Sequence, residues 1–260
     1  MVSKTFRIAL MIVLVTLVLS SGAWAACSNS SVSGTYGLIG SGTDGSGLPT
    51  TVVGQFAVDS STLTFAGTET VSDNGTIAPN LPVTGTYSIA SNCTATGTIS
   101  VEGGKPSNIY FVVTSVGLRS LYGKSGNTQT SFQIPQGTAT CTNAGVKGAF
   151  GFEAAGFFLT GAPFTGPVAL VGELSLTVNG SGDGVINGLM SASEDGTIYS
   201  FTQAPVTGSY SIGSNCQGTA SITLKGQLPM NYSLVVVNGG KEILAIETDP
   251  DTVSSGTLQR

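Results

Sequence analysis

Pro82-Val83-Thr84-Gly85-Thr86-Tyr87-Ser88-Ile89-Ala90-Ser91-Asn92-Cys93 returns as Pro205-Val206-Thr207-Gly208-Ser209-Tyr210-Ser211-Ile212-Gly213-Ser214-Asn215-Cys216, at an offset of 123 residues. The two stretches differ only at Thr86/Ser209 and Ala90/Gly213. Two copies of one domain therefore make up the mature chain, and function is to be sought in the single domain or at the junction. Outward from this block, residues 27–37 match 141–151 at an offset of 114, and 53–56 match 171–174 at 118. Residues 73–77 match 194–198 at 121, and 136–138 pair with 255–257 at 119. The offset drifts only between blocks, in stretches rich in Gly, Ser, Pro and Asn, where loops absorb insertions. The last pairing implies a longer late loop in the first half, over 123–130. The chain divides into a leader, 1–25, and two repeats, 26–140 and 141–260, with almost no linker.

Each repeat reads as short strands. In the second, the candidates are 146–152, 168–178, 184–191, 197–201, 206–212, 219–224, 232–237, 242–248 and 254–258. Turn signals such as Asn179-Gly180, Asp195-Gly196 and Asn238-Gly239-Gly240 separate them. No stretch of the mature chain has helical periodicity of useful length. Short strands with tight connections suggest an all-β meander, and closure of such a meander removes its edges. The expected fold is two tandem antiparallel up-and-down β-barrels of about eight strands each, a size that holds packed side chains or one small ligand.

Alternation assigns the faces. Val32, Gly34, Tyr36 and Leu38 point one way, matched by Val146, Gly148, Phe150 and Phe152. Val83, Gly85, Tyr87 and Ile89 do the same, matched by Val206, Gly208, Tyr210 and Ile212. Glycine precedes an aromatic by two positions in all these segments, which makes room for a neighbouring ring or lets a strand bend. Tyr36, Tyr87, Phe150, Phe152 and Tyr210 thus fall on the faces assigned to the interiors. They are the candidate ligand-binding residues, with core packing as the competing role.

Lys4 and Arg7, the apolar run 8–19 broken only by Thr16, and the small residues of Ala23-Trp24-Ala25 form a secretory signal. The run is too short to span a bilayer, and nothing later resembles a membrane span. Lipidation at Cys27 is disfavoured, because Trp24 stands where a lipobox takes an aliphatic residue and the repeat gives Cys27 another task. The expected location is secreted or periplasmic. The formal charge of −5, with 9 basic residues and no histidine, argues against nucleic acid or anionic surfaces as partners.

Four cysteines allow three pairings. Cys27 and Cys93 occupy the repeat positions of Cys141 and Cys216, so pairing within each half is the simplest assignment, in an oxidising compartment. The absence of histidine excludes Ser-His-Asp and Cys-His arrangements, and without Cys-x-x-Cys spacing no metal or cofactor site is expected. What remains for catalysis is a carboxylate pair or a lone carboxylate in an apolar cavity. Glu153 and Glu173 are matched in the other copy by Ile39 and Gln55, which marks them as solvated surface groups.

Cys…Val-x-Gly-x-Tyr/Phe-Gly, then Val-Thr-Gly-Thr/Ser-Tyr-Ser-Ile-x-Ser-Asn-Cys, then Gly240-Lys241-Glu242-Ile243, resembles exported bacterial proteins of unknown function with allene-oxide-cyclase-like, calycin-like barrels. The resemblance implies a barrel fold through glycine and turn positions and carries no catalytic residue of the plant cyclases onto this chain. In the first half Val116-Gly117-Leu118-Arg119-Ser120 replaces the Gly-Lys-Glu segment. The leading expectation is an exported non-enzymatic protein whose barrels bind an apolar small molecule. The alternatives are an isomerase- or cyclase-type enzyme acting on an apolar substrate in the barrel, and a cell-surface structural or adhesive protein. A hollow interior separates the first two from the third.

Overall fold

Within each repeat, successive strands pair with their sequence neighbours in the computed structural model, which describes residues 26–124, 127–138, 140–159 and 165–260. The leader reading lies outside the described residues. The first repeat contributes β1 (Gly34–Thr43), β2 (Pro49–Asp59), β3 (Thr64–Asp73), β4 (Thr76–Ile89), β5 (Thr94–Val101), β6 (Ser107–Thr114), β7 (Gly117–Lys124) and β8 (Asn127–Pro135). The second contributes β9 (Gly148–Phe158), β10 (Gly166–Val178), β11 (Gly184–Glu194), β12 (Thr197–Ile212), β13 (Gln217–Leu224), β14 (Pro229–Val237), β15 (Glu242–Glu247) and β16 (Thr252–Gln259). β8 pairs back on β1 and β16 on β9, so each repeat is a closed antiparallel barrel without a free edge.

Three expectations need correction. Residues 197–201 and 206–212 belong to one strand, β12, not two. A register shift between Met190 and Ala192 lets β12 carry extra residues as a bulge, so a Pro-containing segment that reads as a turn stays in the sheet. The same place in the first barrel has a smaller shift, between Glu69 and Val71, with Asn80 at φ 55°. The drift in offset from 121 to 123 is therefore taken up by this bulge and not by a loop.

The late pairing of 136–138 with 255–257 also fails. Leu38 lies beside Gln133, and its equivalent Phe152 lies beside Leu258, so Gln133 and Leu258 are the true counterparts. Pairing of β7 with β8 runs out to Lys124 and Asn127, so the 123–130 segment holds no longer loop. The longer connection is in the second barrel, between β15 and β16. Third, Val32 and Val146 are not strand residues. They end short 3-10 helices, Asn29–Val32 and Asn143–Val146, and are 1% and 0% exposed.

Those two helices explain the repeated twelve-residue block. The Tyr87 hydroxyl donates to the carbonyl of Asn29 at 3.1 Å, and the Asn29 side chain accepts from the Ile89 amide at 2.9 Å. Tyr210, Asn143 and Ile212 repeat the arrangement at 2.9 and 2.8 Å. Disulfides Cys27–Cys93 and Cys141–Cys216, the pairings expected from the repeat, lock each helix to the turn after the Tyr strand. Each turn ends on its cysteine at positive φ, 68° and 65°. The block thus anchors the short helix that plugs one end of each barrel.

The barrels pack side by side through β1–β3 and β14–β16. Val53, Val235, Val237, Leu244 and Ile246, each at most 1% exposed, form a separate apolar cluster there, flanked by Ile39 and Ile134. Gly37 permits this approach, because a Cβ on it would stand 2.3 Å from Val237 Cγ1. Ser72 Oγ donates across the seam to the Thr252 carbonyl at 2.6 Å, and Gln217 Nε2 to Thr68 Oγ1 at 2.8 Å.

Candidate functional site

One fold serves both repeats, yet the interiors differ. The first barrel encloses a cavity of about 220 Å³, whereas the second retains about 10 Å³. In the second, Phe152 meets Tyr232 edge-on at 6.3 Å between ring centroids, and Met190 is 1% exposed beside them in the same core. Strand register identifies what the first barrel has instead. Leu38 replaces Phe152, Ile109 replaces Tyr232, and Glu69 replaces Met190. Ser120, Ser131 and Gln133 stand where the second barrel has Ala245, Gly256 and Leu258.

The cavity has an apolar body and a polar wall. Phe65, Val83, Ile109, Phe111 and Leu118 line it and belong to the first barrel's core cluster, with Val32 of the plug helix beneath. Glu69 lines the cavity from β3, next to the bulge that opens after it, a feature that often re-aims a side chain at a functional site. Gly54 on β2 leaves space for it, since a Cβ there would meet Glu69 Cβ at 2.8 Å. Glu69 is 8% exposed, and no hydrogen bond or ion pair joins its carboxyl to any described residue. Burial without a partner penalises the charged form and raises its pKa from 4.5 to about 7.

On β7 and β8 the Gln133 amide donates to Ser120 Oγ at 2.8 Å and to Ser131 Oγ at 2.7 Å, and the two hydroxyls are 2.6 Å apart. One hydroxyl proton supplies the Ser120–Ser131 bond, which leaves the other free to donate. Gln133 Oε1 is buried with no partner. Asp73 lines the cavity near the end opposite the plug, and its pKa is raised, first by burial and then by the charge of Asp44. Among the described side chains no lining residue is basic.

The residues singled out by alternation all lie inside the barrels. Tyr36 is 6% exposed and stacks on Phe56 at 5.6 Å, and it does not line the cavity. Tyr87 lines the cavity, but its hydroxyl is committed to the plug helix. Phe150, Phe152 and Tyr210 are 1%, 2% and 4% exposed in the filled second barrel, where packing is their role. The room-making glycine holds at Gly85, whose Cβ would lie 2.2 Å from Phe65 Cζ.

Sequence reasoning passed over Glu69, Ser120, Ser131 and Gln133. Phe65-x-Gly67-x-Glu69-x-Val71 has the period of a half-buried strand, and the 121 offset sets Glu69 against Met190. An acid opposite a methionine on an inward face was the available signal.

The second barrel has a buried acid of its own. Glu247 is 2% exposed and accepts from Ser254 Oγ at 2.9 Å, and burial raises its pKa to about 7 against the lowering effect of that bond. With so little free volume it has no cavity to serve.

Among the described residues no cluster of His, Cys, Asp or Glu is placed to hold a metal ion, and no helix is long and apolar enough to cross a membrane. No family model matches the chain, and no curated protein matches it.

Proposed function

We propose that the protein is an exported small-molecule binder in which the first barrel holds the ligand and the second is a filled scaffold. The observation that carries this is the contrast between the two interiors, about 220 Å³ against about 10 Å³, in copies that share strand order, plug and disulfide. A dry apolar cavity of roughly 150 Å³ suffices for benzene, so this one takes a body somewhat larger than a single ring. The disulfides fit an oxidising compartment, in keeping with the leader and with the exported barrels the sequence resembles.

Methyl NMR with naphthalene as probe tests the reading. Saturable shifts are expected at Val83, Ile109 and Leu118 but not at Leu174 or Ile222. The cavity-filling variant Ile109→Tyr, which copies the second barrel, is expected to abolish them. Shifts in both barrels, or none in either, would reject it.

A second reading, an isomerase-type enzyme, is favoured by Glu69 alone. A carboxyl poised near neutral pH in an apolar cavity is suited to taking and returning a proton. Its test is to incubate the ligand recovered from the native protein with the protein in deuterium oxide. Exchange into carbon-bound positions that is lost in Glu69→Gln supports catalysis, and no exchange leaves binding alone.

A further inference from the structure

Resting on the binding reading above, we propose that the ligand of the first barrel is an organic cation, a small amine with an apolar body whose ammonium group sits against the Glu69 carboxylate. Three independent features of the cavity converge on this class. Among the described side chains the unpartnered charged group in its interior is an acid, Glu69, and Asp73 adds a second acid nearer the mouth. Among the described side chains no lysine or arginine lines it, so there a ligand carboxylate or phosphate would meet both acids and no counter-charge. Aromatic rings of Phe56, Phe65, Tyr87, Phe111 and Tyr122 surround the space, and ring faces attract a desolvated cation.

The second barrel supplies the control. Where Glu69 stands, it has Met190, and its interior is closed by packing. The acid is therefore not demanded by the barrel, its bulge or its plug. An isolated carboxylate is unfavourable in this setting, and a bound ammonium supplies what the protein leaves out: an opposite charge and charge-assisted hydrogen bonds. The Ser120 and Ser131 hydroxyls on β7 and β8 offer a further contact for a polar substituent.

Binding of such a ligand is linked to protons. Among the described side chains the titratable groups facing the same space are Asp73 on the same strand, Tyr87 on β4 and Tyr122 on β7, and none of these carries a positive charge. At low pH a protonated Glu69 must release its proton to pair with the ammonium. Affinity for the amine therefore falls as pH drops below neutral, while affinity for a neutral analogue stays level.

Benzylamine, benzyl alcohol and benzoate form a size-matched set that tests this by calorimetry and methyl NMR on the full chain. At pH 8 the expected order is benzylamine, then benzyl alcohol, then benzoate, with about tenfold between the first two, the scale of adding one charge-assisted contact. Glu69→Gln is expected to erase the benzylamine advantage and leave benzyl alcohol within about twofold. Glu69→Met, the residue of the other barrel, guards against an effect peculiar to the amide, and the melting of both variants is followed alongside. At pH 5 the amine advantage is expected to shrink in the parent and not to change in either variant.

If all three probes fail to bind, the binding reading itself falls. If benzyl alcohol binds but benzylamine is no tighter, or benzoate is the tightest, only the cation inference falls. An amine advantage that survives in both Glu69 variants also overturns it.

Discussion

Replacing Glu69 by glutamine should change how the protein's stability depends on pH. Burial holds this carboxyl at about 7 in the folded state against 4.5 for an exposed glutamate. The folded pKa is the higher of the two, so the folded state binds the proton more tightly. Below pH 4.5 the group is protonated in both states and carries no penalty. As pH rises towards 7 the unfolded chain ionises first, and stability is lost until the folded group ionises too. At 1.36 kcal/mol per unit the loss above neutral pH is about 3 kcal/mol, and at pH 5 it is less than about 1 kcal/mol. Urea melts of the apo protein at pH 5 and pH 8 read this difference. The parent should lose stability between the two pH values, and Glu69→Gln should lose about 2–3 kcal/mol less. Any constant effect of the buried amide cancels, because the readout is the change with pH. A Glu69→Gln line parallel to the parent's would mean that water reaches the carboxyl freely, and the argument for an isolated buried acid would fail. Glu247→Gln is the companion measurement, and its gain should be partly offset by the bond to Ser254.

Three other expectations concern the frame. Tyr210→Phe removes the hydroxyl whose single proton is shared between the Asn143 and Thr177 carbonyls, and Tyr87→Phe the one that donates to Asn29; each should cost about 1 kcal/mol by chemical denaturation. A cost near zero for both would remove the plug from the account of the repeated block. Peptide mapping should recover Cys27–Cys93 and Cys141–Cys216, and reduction should lower stability by about 4 kcal/mol for each loop of this length. Residues 141–260, produced alone in an oxidising compartment, should melt cooperatively but self-associate through the uncovered Val235, Val237, Leu244 and Ile246. Leu244→Lys with Ile246→Lys should restore a monomer by light scattering, and a monomeric parent fragment would contradict the seam.

The sequence was informative wherever both copies kept the same residue for the same reason. Tyr87/Tyr210, Asn29/Asn143 and the cysteines repeat because each barrel needs the same plug, and so the repeat revealed closure and pairing. Period-two alternation located the inward faces because a strand has no other way to bury one side. What alternation cannot report is how much of the enclosed volume is filled. That depends on the sum of side chains from all eight strands at one level, such as Leu38 with Ile109 against Phe152 with Tyr232. The β12 bulge was hidden for a related reason, since Thr202-Gln203-Ala204-Pro205 breaks the alternation locally and only the pairing partner shows that the strand continues.

The second barrel also bears on why the first is hollow. It demonstrates that this topology, with the same plug and disulfide, can fill its interior with ordinary residues. The smaller side chains around the cavity of about 220 Å³ forgo packing that the second barrel makes, which costs the first barrel stability. Glu69 adds its own penalty where the copy has Met190. Both costs fall in the same barrel, at the same place, beside a bulge, a glycine and a cluster of hydroxyls. A barrel that had merely drifted from its copy would be expected to lose packing at scattered positions. Here the smaller side chains, the acid and the serines all face one space, and a ligand in that space would supply packing and a partner for the carboxyl together. The second copy, with its interior packed and its buried Glu247 bonded to Ser254, is left to supply stability across the Val53, Val237 and Leu244 seam.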